Sequence, residues 1–220
     1  MKNYLEGGNN MKTGVGKTLD RKILKEVKEP VIFVLHWTSR DVEKLKHYRK
    51  IMKKYFTNLG AKKILFSYFD DSYEDIKQKI EKSNMIYFPG GEPDLLYKTI
   101  KKKGITKLLK SFDGIIFGTS AGALIQCKRY AIIKEQGGRK KTKLETGIGF
   151  VDIIVEVHYG NKNPNLSPPK TDEELKKLSK RTNKKIYAIC DAAAIEVSNS
   201  HYKYHGKIYC FENGSRRSVN

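Results

Sequence analysis

The chain has 220 residues and carries 44 Lys and Arg against 24 Asp and Glu, which gives a formal charge of +20. Its length suits one α/β domain. Hydrophobic residues make up 39% of the chain, and no run approaches the ~20 apolar residues of a membrane-spanning helix. The positive charge would suit nucleic acid, yet lysines recur along almost every predicted helix and no known nucleic-acid-binding module is present. We therefore expect no nucleic-acid partner.

The beginning of the chain and its cysteines bear on localisation. The first ten residues are polar and lack an apolar core, so they do not resemble a signal peptide. Cys127, Cys190 and Cys210 lack paired or metal-type spacing, which predicts free thiols. We expect a cytoplasmic protein without a membrane partner.

Short apolar runs alternate with longer amphipathic stretches, which is the pattern of βαβ units around a mostly parallel sheet. This pattern predicts strands at residues 31–35, 64–68, 85–88, 115–117, 153–157 and 186–189. Apolar residues at helical spacing predict a helix over 41–59, while Ser72 and Pro93 suit the starts of the next two helices. The predicted fold class is α/β, a three-layer sandwich with helices on both faces of a mostly parallel central sheet.

The second half of the chain contains two predicted loops. Residues 135–146 are rich in Gly, Arg and Lys, and residues 161–170 contain three prolines, so both segments are predicted to lack regular structure. Thr171, with Glu174 three residues later, is suited to begin the last helix as a capping box. Short strands are predicted near 195–197 and 208–211.

The sequence GTSAG at positions 118–122 follows a predicted buried strand and precedes apolar residues that can begin a helix. A strand, a sharp turn and a helix form a nucleophile elbow, in which small flanking residues relieve crowding around the serine. Ser120 is therefore the predicted nucleophile. The backbone amide of Ala121, at the start of the helix, is a predicted donor to an oxyanion.

A serine hydroxyl needs a base, and the sequence offers five histidines. His158 follows the predicted strand 153–157, so we expect it at the carboxyl edge of a central strand, close to Ser120. His36 also ends a strand and is the alternative. His47, His201 and His205 lie in stretches that favour surface or packing roles.

The third member of a triad is a carboxylate that orients the imidazole. Asp191 is the first candidate because it ends the predicted strand 186–189 and precedes small residues. Glu135 is the alternative acid. Gly90 and Gly91 lie in a predicted strand-to-helix turn, where either amide would provide the second oxyanion donor.

The sequence also contains features of a nucleotide-binding protein and of a non-catalytic ligand-binding protein. GVGKT at positions 14–18 resembles the end of a phosphate-binding loop, but Met11 stands where the first glycine of that motif is needed. A non-catalytic protein would use the turn around Ser120 only to hold a small ligand. The distance between the serine and its base distinguishes a hydrolase from this non-catalytic protein, because a catalytic base must lie within hydrogen-bond reach of the serine.

The glycines at 90–91, GTSAGA at 118–123, the His-Tyr pair at 158–159 and Asp191 occur in this order. With them, the chain resembles the dipeptidase E (alpha-aspartyl dipeptidase) family of serine peptidases, which is related to cyanophycinase. The resemblance covers nearly the whole chain and implies a class I glutamine amidotransferase-like, flavodoxin-like fold. That fold carries cysteine at the elbow in the amidotransferases, whereas this chain has Ser120.

The resemblance also implies roles for individual residues. Ser120, His158 and Asp191 match the family's nucleophile, base and acid, and Glu135 matches a second acidic position that competes for the third role. Many relatives have Asn or Asp after the paired glycines, where this chain has Glu92, so the resemblance leaves recognition of an aspartyl group open.

Residues and resemblance together predict one peptidase E-like catalytic domain over residues 1–220. The predicted activity is hydrolysis of short peptides, including dipeptides with an N-terminal aspartate, without a cofactor or metal. The predicted partner is the short peptide substrate, and the predicted state is a monomer or homodimer. The alternative is a non-catalytic, ligand-binding member of the same fold.

Overall fold

The computed structural model describes residues 1–134, 140–161 and 168–219, and for residues 168–170 only the backbone. The helices in these ranges are α1 (Lys17–Leu24), α2 (Val42–Asn58), α3 (Tyr73–Glu81), α4 (Pro93–Lys102), α5 (Thr106–Lys110), α6 (Ala121–Gln126) and α7 (Pro168–Thr182). The strands are β1 (Lys2–Glu6), β2 (Val31–Val34), β3 (Lys63–Phe66), β4 (Met85–Phe88), β5 (Ile115–Thr119), β6 (Arg129–Ile132), β7 (Lys143–Thr146), β8 (Ile154–Val157), β9 (Ile186–Ile189), β10 (Ala194–Ser198), β11 (His201–His205), β12 (Ile208–Glu212) and β13 (Ser215–Ser218).

The central sheet has seven strands in the order β11-β10-β1-β5-β4-β2-β3. The five strands from β1 to β3 in this order are parallel, whereas β10 pairs antiparallel with β1 and β11 antiparallel with β10. The mostly parallel central sheet confirms the predicted fold class.

Side chains alternate between the two faces of this sheet, as the pleat of a strand requires. Ile32, Val34 and Tyr87 pack with α1 and α2, while their neighbours Phe33 and Phe88 pack with α3, α4 and α5. Both faces are therefore covered by helices, which produces the three layers. The helices begin at sites that the sequence predicts, because Asp41 and Ser72 cap α2 and α3 and Pro93 occupies the first turn of α4.

The prediction that residues 153–157 form a central strand is wrong. β8 and β9 belong to a second sheet of order β13-β12-β9-β8, in which these two strands are parallel. Buried parallel strands of either sheet have the same apolar pattern, so the sequence does not distinguish the two sheets.

The interpretation of residues 135–146 as one loop is also wrong in part, because Lys143–Thr146 forms β7 and pairs with β6. The expectation that the last helix begins after Thr171 is wrong as well. α7 begins at Pro168, since proline is tolerated in the first turn of a helix.

The cysteines are free, as predicted, with Cys127 and Cys210 buried and Cys190 half-buried. No helix within the three described ranges is long and apolar enough to cross a membrane.

Candidate active site

The chain order of the central sheet reverses between β2 and β4, since β3 lies on one side of β2 and β4 on the other. Open α/β sheets bind ligands at the carboxyl ends of their strands where such a reversal occurs. The turn containing Gly90 follows β4, and Ser120 follows β5, the next strand in the sheet. The candidate site therefore lies where this topology predicts a ligand.

Ser120 connects β5 to α6 with φ 53° and ψ −116°, a conformation that non-glycine residues rarely adopt. The two flanking glycines allow this turn. A Cβ on Gly122 would lie 1.8 Å from the carbonyl oxygen of Phe88, and a Cβ on Gly118 would lie 2.7 Å from the backbone of Gly122. Close backbone contacts therefore require glycine at positions 118 and 122, as expected for a nucleophile elbow.

His158 and Asp191 form a continuous hydrogen-bonded series with Ser120. His158 Nε2 lies 2.8 Å from Ser120 Oγ, and His158 Nδ1 lies 2.8 Å from Asp191 Oδ1. Asn161 Nδ2 donates to Asp191 Oδ2 at 2.6 Å. His158 and Ala192 also have positive φ values, 59° and 58°, so unusual backbone conformations occur at three positions around this series.

The Asp191 carboxylate is held in its ionised form. The hydrogen bond from His158 lowers the pKa of Asp191, burial opposes this effect, and the hydrogen bond from Asn161 lowers it further. An ionised carboxylate at Nδ1 favours the imidazole tautomer that carries its proton on Nδ1, which leaves Nε2 free to accept a proton from Ser120.

The end of β1 and the two glycines after it hold the backbone of Ser120, of His158 and of Ala192, the residue after Asp191. Three backbone bonds connect this segment to the site: Ser120 N to Glu6 O at 3.1 Å, His158 N to Gly7 O at 3.2 Å and Ala192 N to Gly8 O at 2.9 Å. This support was not predicted from the sequence, because residues 2–6 contain no apolar run that would indicate a strand.

Gly8 lies directly against the hydrogen bond between His158 and Asp191. A Cβ at this position would lie 2.1 Å from Asp191 Oδ1 and 2.5 Å from His158 Nδ1. This contact was not predicted from the sequence, although adjacent glycines such as those at positions 7 and 8 are the signal that indicates a close approach of the backbone.

The predicted oxyanion donors surround the serine. Ala121 is the first residue of α6, where a helix leaves its backbone amide without a partner inside the helix. A Cβ on Gly90 would lie 3.4 Å from Ser120 Cβ, so the Gly90 backbone packs against the serine. Gly91 follows with φ 133°, and the Glu92 amide donates to the Thr38 carbonyl at 2.9 Å, which anchors the turn.

The alternative residues are placed differently. His36 is 4% exposed and lines a cavity that also contains Ser120, but no hydrogen bond joins it to the serine, and its backbone amide donates to Ser67 Oγ. His205 pairs with Glu196 on the hairpin of β10 and β11. Glu135, the alternative acid, lies outside the described residues. Among the described residues, no group of three or more His, Cys, Asp or Glu side chains is placed to hold a metal ion.

Two cavities meet at Ser120 and His158. The larger, of about 570 Å³, lies between α2 and the segment that follows β1, and Lys12 and Lys44 are among its lining residues. The smaller, of about 300 Å³, lies beside α4 and α6 and has an apolar wall of Leu124, Ile132 and Val157. Both cavities also contain Gly91. A substrate bound across the serine would therefore have space on each side.

Two buried carboxyl groups lie beneath the segment that follows β1. Glu6 and Asp20 are 1% and 0% exposed, and the Asn9 amide lies 3.4 and 3.5 Å from their nearest oxygens. Tyr55 OH donates to Asp20 Oδ2 at 2.5 Å. Burial raises the pKa of Asp20 to about 6, and burial together with the charge of Asp20 raises the pKa of Glu6 well above its usual value.

These two carboxyl groups should make the protein less stable as the pH rises. A carboxyl with a raised pKa in the folded state stabilises the fold at low pH, and this contribution is lost as the pH rises through the folded value. The shift of Asp20 from 3.8 to about 6 alone corresponds to roughly 2–3 kcal/mol. We expect the double substitution Glu6→Gln and Asp20→Asn to remove most of this loss between pH 4 and 8, measured by urea unfolding.

Glu29→Gln is the control for this measurement, because Glu29 is exposed and pairs with Lys62 on the surface. Its stability should follow the wild-type pH dependence. An unfolding free energy of the double variant that still falls with pH as steeply as that of the wild type would contradict the assignment.

A serine hydroxyl, an imidazole and a carboxylate in hydrogen-bonded series, at the carboxyl edge of a mostly parallel sheet, form the arrangement found in serine hydrolases. Residues 4–204 match peptidase family S51. The chain therefore belongs to peptidase family S51, the dipeptidase E family.

The comparisons also identify individual relatives. An uncharacterized peptidase of Listeria innocua is 28% identical over 130 residues, which cover 56% of this chain and 62% of that protein. An uncharacterized peptidase of Pasteurella multocida is 26% identical over 130 residues, which cover 56% of this chain and 63% of that protein. The matched segment thus spans less than two thirds of these relatives.

Two solved structures share the fold. A peptidase from an acI-B1 actinobacterium superposes with a TM-score of 0.68 at 15% identity, covering 99% of this chain and 93% of its own. A peptidase E candidate from Listeria monocytogenes EGD-e superposes with a TM-score of 0.65 at 21% identity, covering 96% of this chain and 98% of its own. At these identities the likeness concerns the fold alone.

Proposed function

We propose that this chain is a serine peptidase that cleaves short peptides, with Ser120 as nucleophile, His158 as base and Asp191 as the acid that orients the base. The observation that carries the proposal is the pair of 2.8 Å contacts of His158, one to Ser120 Oγ and one to Asp191 Oδ1. Family membership supports the same chemistry.

The proposed mechanism has two stages, acylation of Ser120 and hydrolysis of the resulting ester. Ser120 Oγ attacks the carbonyl carbon of the peptide bond while His158 Nε2 accepts the hydroxyl proton. The amides of Ala121 and of Gly90 or Gly91 donate to the oxyanion that forms. His158 then gives its proton to the leaving amine as the C–N bond breaks. A water molecule, activated by His158, hydrolyses the remaining ester and restores Ser120.

The surroundings of Ser120 support a short substrate. The two cavities, of about 570 and 300 Å³, have the size of small-ligand sites, which suits a short peptide bound across the serine. Lys12 and Lys44 line the larger cavity and would attract an acidic side chain, which supports dipeptides with an N-terminal aspartate as substrates.

The unit that we propose is one catalytic domain over residues 1–220, working as a monomer or homodimer. Ser120, His158 and Asp191 come from one chain, and each proton transfer in the mechanism has a donor and an acceptor within this series or the substrate. The proposed reaction therefore uses no cofactor.

The test combines an active-site label with cleavage. We expect an uncharged fluorophosphonate to label the wild type and a dipeptide panel including Asp-X peptides to be cleaved, whereas Ser120→Ala should lose both. Ser218→Ala is the matched control, because Ser218 is exposed on β13 and lines neither cavity. Equal cleavage by wild type and Ser120→Ala would refute the proposal. Binding of dipeptides by a wild type that neither reacts nor cleaves would favour the non-catalytic alternative.

A further inference from the structure

A third cavity, of about 520 Å³, lies at the carboxyl ends of β8 and β9 in the second sheet. These two strands are parallel and α7 connects them, so they form a βαβ unit. The cavity is bounded by the segments that follow the two strands, by the first half of α7, and by β12 and β13. The carboxyl ends of parallel strands are the usual place for ligands in α/β folds. The described residues that line this cavity all differ from those of the two cavities at Ser120.

The third cavity carries more positive than negative charge. Lys176 and Lys207 line it, and neither forms an ion pair within the three described ranges. Arg216 also lines it, but its Nη1 lies 2.8 Å from Asp172 Oδ2, so these two charges compensate each other. The other carboxylate, that of Glu173, is exposed and pairs with a neighbouring lysine of α7. The charges of two ammonium groups are therefore left uncompensated.

Two tyrosine rings form the wall beside these charges. The ring centroids of Tyr159 and Tyr209 are 5.1 Å apart, and Arg216 Cζ and Lys207 Nζ lie 5.1 and 5.7 Å from the centroid of the Tyr209 ring. The Tyr159 hydroxyl donates to Asp172 and accepts from Arg216 Nη1 at 3.1 Å. These contacts hold the guanidinium in place before any ligand binds, which lowers the entropy that binding costs.

The third cavity adjoins the hydrogen bond between His158 and Asp191. Tyr159 directly follows His158, and Cys190 directly precedes Asp191. The Cys190 amide donates to the Lys207 carbonyl at 3.2 Å, so the backbone of this lysine is attached to the segment that carries Asp191. Burial raises the pKa of the Cys190 thiol, which therefore carries no negative charge near neutral pH that would repel an anion. A ligand in this cavity would restrain both segments at once.

We propose that the third cavity binds a small dianion, a dicarboxylate or a phosphate, and that the bound anion holds His158 and Asp191 in their hydrogen-bonded arrangement. Lys176, Lys207 and the guanidinium of Arg216 supply charge-assisted donors for two anionic groups of one ligand. A monoanion would leave one of the two lysines without a partner. The site itself goes beyond the proposed peptidase activity, and only the consequence for catalysis rests on that function.

Cys190 reports whether the third cavity is occupied. It is half-buried and lines the cavity, whereas Cys127 and Cys210 are 0% exposed. Labelling of the folded protein by uncharged N-ethylmaleimide is measured at pH 8 and constant ionic strength, with Cys190→Ser as the background. Succinate or inorganic phosphate at about ten times its Kd should slow labelling about tenfold and raise the melting temperature in a saturable way. Acetate, with one charge, should do neither at the same concentrations.

Four lysine variants distinguish a specific site from general charge. Lys176→Gln and Lys207→Gln should each raise the Kd of the dianion about tenfold, because each removes one charge-assisted contact. Lys180→Gln, one turn later on α7, and Lys203→Gln on β11 remove exposed charges that do not line the cavity, so both should bind like the wild type. Neither protection nor a thermal shift with both dianions, or an equal loss in all four variants, would overturn the site.

The link to the active site has its own test. Gly8→Ala places a methyl group against His158 and Asp191, although Gly8 does not line the third cavity. Because coupling between two sites is reciprocal, this variant should bind succinate and phosphate about fivefold more weakly. A saturating dianion should likewise speed fluorophosphonate labelling of Ser120 in the wild type about fivefold. Unchanged binding by Gly8→Ala would overturn the coupling.

These results are separable from those that test the proposed function. Protection of Cys190 and the thermal shift require no reaction at Ser120. Saturable protection that depends on Lys176 and Lys207 would support the site even if the wild type cleaved nothing and took no fluorophosphonate. Absence of both binding signals would overturn it even if Ser120 were labelled.

Discussion

Replacing Asp191 with Asn is expected to lower kcat by about three to four orders of magnitude while the protein stays folded. Asp191 accepts the hydrogen bond from His158 Nδ1 at 2.8 Å and a second from Asn161 at 2.6 Å. An asparagine amide can donate to Nδ1 instead, which moves the imidazole proton to Nε2. The nitrogen facing Ser120 then cannot accept the serine proton.

The measurement is steady-state cleavage of a dipeptide by Asp191→Asn, with Asp152→Asn as the control. Asp152 is an exposed carboxylate just before β8, so its loss should leave kcat within about twofold of wild type. A loss below tenfold in Asp191→Asn would contradict the assignment of the acid. Glu135→Gln should be measured beside it, because a large loss in that variant alone would give the role to the other acid.

Gly8→Ala is expected to reduce kcat at least about 100-fold through geometry alone, since small displacements of catalytic groups have effects of this size. The new methyl group would lie 2.1 Å from Asp191 Oδ1 and 2.5 Å from His158 Nδ1. Gly8 is not among the glycines with positive φ, so alanine suits its backbone and the conflict is with the two side chains. The hydrogen bond between them must lengthen or break.

A double-mutant cycle tests this cause. In an Asp191→Ala background the hydrogen bond that the new methyl group disturbs is already absent and only the contact with His158 remains, so adding Gly8→Ala should reduce kcat less than it does in the wild type. Independent, multiplicative losses would instead point to a general effect on folding, which the melting temperature of Gly8→Ala would reveal.

The candidate site could be located from the sequence because its parts are local. Ser120, His158 and Asp191 each follow a short apolar run, and small residues surround the serine and the aspartate. Such runs are the signal of buried strands, and polar residues at their carboxyl ends tend to lie at one edge of a sheet. The three residues were therefore predicted to lie together, although β8 was predicted in the central sheet and belongs to the second one.

The supporting structure could not be predicted in the same way. β1 lies between β5 and β10 in the central sheet, but it contains the buried polar residues Asn3 and Glu6, so no apolar run marks it. The Asn3 side chain donates a hydrogen bond to Gln126, and Glu6 lies beside Asp20, which belongs to α1. The partners that permit their burial are distant in sequence, so only the folded chain reveals them.

The central position of β1 has a consequence for how the site matures during folding. Its end holds Ser120, His158 and Ala192 through bonds between residues far apart in the chain, and contacts of this kind form late because closing long loops costs entropy. A partly folded chain would therefore contain the serine without the arrangement proposed to activate it. During refolding, fluorophosphonate labelling of Ser120 should return only with the slowest phase, after β10 has joined β1. Such late activation would limit unwanted hydrolysis by incompletely folded molecules.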